Sequence, residues 1–146
     1  MHRLFATLLV ITALHVTPAS AQQSETFGPY ELHYSVVNTT FIEPEVAATY
    51  GITRGKDRAI LNLSVREHLP GGGDIGRPMQ LKGSTRDLLQ KQETLDFMEV
   101  KEGPAIYYIA EVTFLNEEHR FFEVHFRPEG ASETYTFKLK HKMYED

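Results

Sequence analysis

The stretch Asp57–Leu81, DRAILNLSVREHLPGGGDIGRPMQL, decides the fold. Its first half alternates. Ala59, Leu61, Leu63 and Val65 fall on one side and Asn62, Ser64 and Arg66 on the other, the period-two pattern of a half-buried strand. The second half, His68–Pro78, poses a choice between a phosphate cradle and a turn. A phosphate-binding loop follows a strand and opens a helix, so that backbone N–H groups and the helix N-terminus point at the anion. Here Arg77-Pro78-Met79-Gln80-Leu81 reads as strand, no Gly-Lys-Ser/Thr follows, and the GxGxxG spacing is missing. Gly71, Gly72, Gly73 and Gly76 therefore serve a turn between strands, where glycine reaches positive φ at low steric cost.

The same alternation runs through the rest of the chain. Tyr30, Leu32, Tyr34 and Val36 share one face of Tyr30–Asn38. Pro44 starts a short helix that Gly51 stops, because proline suits the first helical position and glycine the left-handed cap. Met79–Thr85 reads as a weaker strand, Arg86–Lys91 as a helical turn, and Thr94–Val100 as one strand whose inward face is ambiguous. Three clear strands follow: Ala105–Leu115, Arg120–Arg127 and Glu133–Met143, joined by the polar turns NEEH and PEGAS. Consecutive strands with short polar loops predict an antiparallel meander. The expected class is all-β: an immunoglobulin-like antiparallel sandwich of about seven strands with one short helix. A small barrel is the alternative.

The N-terminus has the layout of a secretory signal peptide: Arg3, an apolar run from Leu4 to Val16, and Ala19-Ser20-Ala21 as a small-x-small cleavage site. Cleavage after Ala21 leaves residues 22–146 as one domain. Cysteine is absent, which excludes disulfides, thiolate metal sites, a cysteine nucleophile and a lipidated N-terminal cysteine. Bacterial periplasm is the expected location. Loss of Arg3 takes the formal net charge from −5 to −6. That balance gives no electrostatic footprint for nucleic acid.

Chemistry-bearing residues are few. His33, His68, His119, His125 and His141 remain after cleavage, and no pair has a spacing that forces convergence on copper or zinc. They read as surface histidines; no metal site and no cofactor is expected. If Val112 pairs across from Val124, and Phe126 from Tyr135, Glu111 lies beside His125 as a candidate ion pair or ligand site. Such cross-strand pairs are ordinary sheet chemistry, worth about 0.2–1 kcal/mol each. On the same presumed face Tyr107, Ile109 and Phe121, with Leu115 near the turn, line up as an apolar row. A contiguous row marks a contact site unless the short helix or the N-terminal segment covers it. Lys138, Lys140 and Lys142 point outward from the last strand, a standard protection of a sheet edge.

The segments GPYELHYSVVNTTFIEPEVAATYGITRGKDRAILNLSV and LLQKQETLDFMEVKEGPAIYYIAEV resemble the proteobacterial domain-of-unknown-function family 4426. The resemblance covers nearly all of the mature chain. It implies a short exported single-domain protein and assigns no catalytic residue. The expected function is a non-catalytic binding or accessory module acting on another envelope protein, with no membrane span after cleavage. The alternative is a small-ligand carrier for copper, zinc or a glycan. No enzyme is expected, since neither a Ser-His-Asp nor a paired-carboxylate pattern is visible.

Overall fold

The computed structural model describes residues 23–146. The expected signal peptide, residues 1–21, lies outside the described residues. Among the described residues ten strands form two antiparallel sheets packed face to face, with one α-helix on the outside. The strands are β1 (Gln23–Phe27), β2 (Tyr30–Asn38), β3 (Arg58–His68), β4 (Asp74–Arg77), β5 (Met79–Arg86), β6 (Gln92–Leu95), β7 (Met98–Glu102), β8 (Ala105–Thr113), β9 (His119–Pro128) and β10 (Tyr135–Lys142). The six-stranded sheet runs β1-β2-β3-β8-β7, with β4 also on β3; the four-stranded sheet runs β10-β9-β5-β6. The all-β sandwich matches the sequence reading, with ten strands in place of about seven.

Alternation explains the core. Leu32, Leu61, Leu63, Val65, Ala110 and Val112 of the larger sheet meet Leu95, Phe122, Val124, Phe126 and Phe137 of the smaller one. Aromatic rings seal one flank: Phe27 packs edge-on against Phe126 at 5.0 Å, and Tyr34 tilts over Phe137 at 4.7 Å. The helix α1 (Pro44–Tyr50) lies as the sequence places it, with Gly51 left-handed at φ 69°. An isolated helix of this length is unstable in water. Packing of Ala47 and Ile52 on Ile60, from the outer side of β3, holds it in place.

Several local readings need correction, and the first two involve a passage between sheets. Strands β8 and β9 do not pair. β8 sits between β3 and β7, and β9 sits between β10 and β5. The turn after β8 crosses the sandwich, so the three-stranded meander reduces to one hairpin, β9–β10. Thr94–Val100 is two strands, β6 and β7, in different sheets. Leu95 and Val100 both point inward at an odd spacing because the crossing at Asp96-Phe97 reverses the pleat. Period-two reasoning cannot follow a chain through such a reversal. Arg86 continues β5, and Asp87–Lys91 is a turn with no helix: Asp87 Oδ1 accepts the N–H groups of Leu89 and Lys91, each at 2.9 Å. The glycine run closes the β3–β4 hairpin, but the later half of the stretch read as a turn is strand: Asp74–Arg77, Gly76 included, pairs with Val65–His68.

Pro78 marks another crossing, from β4 to β5, and Tyr108 pins it. The buried Tyr108 hydroxyl accepts the Met79 N–H at 2.9 Å and donates to Glu99 at 2.8 Å. Burial, opposed by the Met79 bond and reinforced by Glu99, pushes this phenol up to about 12. Tyr108→Phe leaves the buried Met79 N–H without a partner. The expected loss is about 1–3 kcal/mol in urea unfolding, with the denaturant slope unchanged.

Candidate functional site

The two sheets present two outer faces, and the crossings decide which residues share each. On the six-stranded sheet Ile109 packs against the cluster under α1, so the helix covers it. Tyr107 borders a shallow hollow of about 120 Å³ with His33, Ser64, Arg66 and Gly76. Glu111 is opposite Ile60; its Oε1 accepts the Thr53 N–H at 2.9 Å and lies 3.8 Å from Arg58 Nη2. Its role is to fasten the segment between α1 and β3.

Phe121 and His125 are on the other sheet. His125 is opposite Thr136, with Nδ1 and Oγ1 at 3.0 Å, and its Nε2 is 3.7 Å from Glu123. The Glu111–His125 pair therefore does not exist, and Tyr107, Ile109 and Phe121 do not form one row. Their expected adjacency required a β8–β9 pairing; of the two registers assumed, Tyr135 opposite Phe126 holds and Val112 opposite Val124 does not.

The fold does bring together a set the sequence reading missed. Glu31 and His33 are two apart on β2, and His68 ends β3 diagonally across from Glu31. His68 Nε2 lies 3.1 Å from one Glu31 oxygen and His33 Nε2 lies 3.6 Å from the other. A hydrogen bond from Ser24, outweighing partial burial and aided by the two imidazoles, holds the Glu31 carboxyl below the usual carboxylate range. The i, i+2 spacing of Glu31 and His33 was legible; His68 joins only through the β2–β3 register. Because the imidazoles approach different oxygens, the donors spread along the carboxylate. Among the described residues no three His, Asp or Glu side chains are arranged to hold a metal ion. His141 points inward beside Arg120, and burial lowers its pKa.

The outer face of the four-stranded sheet carries the strongest charge pattern. Lys82 and Arg86 of β5, Arg127 of β9, and Lys138, Lys140 and Lys142 of β10 all point outward there. None has a carboxylate within 4.0 Å among the described residues. By contrast Arg58, Arg66 and Arg77 of the larger sheet are each paired. The Arg86 guanidinium sits 4.2 Å over the Phe121 ring and the Lys140 ammonium 5.5 Å over it. Two open hollows lie along this face. One, of about 260 Å³, is bordered by Ser84, Arg86, Gln92, Phe121, Lys138 and Lys140. The other, of about 300 Å³, is bordered by Gln80, Lys82, His125, Arg127 and Thr134.

Fold and faces together define a two-sheet antiparallel sandwich whose polar and charged features lie on open sheet surfaces. The chain belongs to the DUF4426 family, a domain of unknown function, whose family model matches residues 24–146. A solved structure of a DUF4426 family protein, PA0388 from Pseudomonas aeruginosa, is 29% identical, with a TM-score of 0.73 over 86% of this chain and 96% of that one. FetP of uropathogenic Escherichia coli strain F11, expressed recombinantly in the periplasm of E. coli, shares 12% identity and the fold, with a TM-score of 0.60 over 86% of this chain and 95% of FetP. A copper-bound FetP variant gives the same identity and score, covering 96% of that chain. The comparison with curated proteins finds no match. No helix among the described residues is long and apolar enough to cross a membrane.

Glu31 carries a pH dependence whose sign follows from its lowered pKa. The unfolded chain takes up this proton at a higher pH than the folded one does. The stability it contributes is therefore present above the ordinary carboxylate value and lost as pH falls through the lowered one. Glu31→Gln removes that part of the acid slope. Urea melts between about pH 5 and pH 3 should show the wild type losing more stability than the variant, by no more than about 1 kcal/mol because the group is solvent-screened.

Proposed function

We propose that this protein is a periplasmic, non-catalytic binding or accessory module that acts on another envelope component, a protein or a polymer, through the outer face of its four-stranded sheet. The observation that carries this reading is the set of unpaired cations on that face, in a chain whose overall charge is negative. Segregated charge of this kind steers association with an oppositely charged partner. The export layout of residues 1–21 and the periplasmic expression of the similarly folded FetP favour the location. The open shape of the two hollows favours binding over catalysis, because catalytic groups need a water-excluding site to shift pKa and position a substrate.

A photocrosslinking residue at Ser84, in the middle of the face, should capture an envelope component in cells. The same residue at Glu45, on the exposed side of α1, should not. Equal labelling from both positions would remove the support for this face.

A carrier of copper or zinc is the second reading. The gathering of Glu31, His33 and His68 favours it, as a set that would have to rearrange to converge on an ion, together with the copper in the FetP variant. Calorimetric titration of the mature chain with either ion separates the two. The first reading expects only weak binding. A tight one-to-one site lost on His68→Ala would put the carrier first.

A further inference from the structure

We infer that the outer face of the four-stranded sheet binds an acidic polysaccharide, a chain of sugars bearing carboxylates, laid along the two hollows. This rests on the binding-face reading above and names its ligand class.

Edge protection does not account for all of the cations. Lys138, Lys140 and Lys142 stand on β10, which is an edge strand. Arg86 lies where β5 is paired on both sides, with Gln92 of β6 and Phe121 of β9, and needs no such protection; Arg127 stands on β9, opposite Gln80 of β5, while Lys82 lies on β5 before its pairing with β6 begins. Their shared feature is the face, and the face calls for an anion.

The other side chains select the kind of anion. Each hollow sets neutral hydrogen-bonding groups beside cations: Ser84 and Gln92 next to Arg86 and Lys140 in one, Gln80 and Thr134 next to Lys82 and Arg127 in the other. That pairing suits a ligand carrying hydroxyls and carboxylates on the same unit. The hollows repeat along the strands: Arg86 and Lys82 are four residues apart on β5, about 14 Å at the rise of an extended chain. A repeating linear polymer reaches both. Phe121 adds a fixed guanidinium, since stacking holds Arg86 in one place and lowers the entropy lost on binding. Glu123, the one outward carboxylate of β9, borders the first hollow and keeps anionic groups away from that point.

A bilayer fits this face less well. Phe121 is the one large apolar side chain on the face itself, half-buried and overlain by two cations, and the exposed Leu88 and Leu89 stand off the face in the turn after β5, so the cationic face itself offers nothing to insert. An acidic protein also fits less well, because protein interfaces centre on apolar anchors and are depleted in lysine.

The test uses the mature chain and polygalacturonate as probe. Neutral dextran, poly-glutamate and phosphatidylglycerol vesicles serve as comparisons. Polygalacturonate should bind, dextran should not, and binding should fall steeply as salt rises to about 0.5 M. Arg86→Gln and Lys140→Gln should each weaken it, together by about tenfold or more. Glu123→Gln should tighten it, a gain that misfolding cannot produce. The inference is overturned by no binding at low salt, by equally tight binding of poly-glutamate, by preference for the vesicles, or by a Glu123→Gln variant that binds no better. If polygalacturonate fails while Ser84 still crosslinks an envelope component, the face stands and the ligand class falls; if both fail, both fall.

Discussion

Leu61, Leu63 and Val65 of β3 are almost wholly removed from water, and the eleven-residue strand that carries them is paired on both edges. β2 lies along one edge from Tyr30 to Asn38. The other edge is shared: β8 pairs with the first half of β3 and β4 with the second. Burying three large aliphatic side chains contributes roughly 1.5–3 kcal/mol each relative to exposure. That gain is realised only in one register, since a slip by one residue would turn all three outward. The far side of the same strand supplies Ile60, on which the helix rests. Both layers above and below the larger sheet therefore depend on β3 holding its place.

The crossings follow from this arrangement. With β8 already paired to β3, the chain can reach the second sheet only by leaving its neighbour, which it does in the turn before β9. Arg120 is buried at that point, where its guanidinium donates to the Thr113 carbonyl at 3.1 Å and lies 3.3 Å from the Glu118 carboxylate. A buried cation is tolerated there because both a carbonyl and a carboxylate are in reach. The passages at Pro78, at Asp96-Phe97 and after β8 each separate residues that are close in sequence and place them on opposite sides of the molecule. Glu111 and His125 are separated this way, and so are Ile109 and Phe121.

The same passages concentrate charge. In the larger sheet acids and bases meet across strands, as Arg66 meets Asp74 and Arg77 meets Glu67. In the smaller sheet the outward rows of three strands carry six lysines and arginines against one carboxylate, Glu123. An acidic chain thus displays a basic plane, and the field over that plane depends on which strands adjoin rather than on net charge. With the core filled by aromatic and aliphatic side chains, the outer faces are left as the places where the fold can meet a ligand.

The sequence by itself determined the strands of the clearest alternation, the short helix between Pro44 and Gly51, the turn nature of the glycine run and the inward residues of β2, β3, β8, β9 and β10. Each depends on neighbours within a few positions, where the pleat and the glycine or proline backbone act directly. It also showed the lysines of β10, because they alternate within one strand. It could not show which strands pair, since alternation says that a face is buried but not against what. For that reason the Glu31–His33–His68 set, the covering of Ile109, and the joining of Arg86 to Lys138 and Lys140 emerged only in the tertiary structure. Each of these brings residues from different strands together through register and sheet order, which burial of the whole core decides at once.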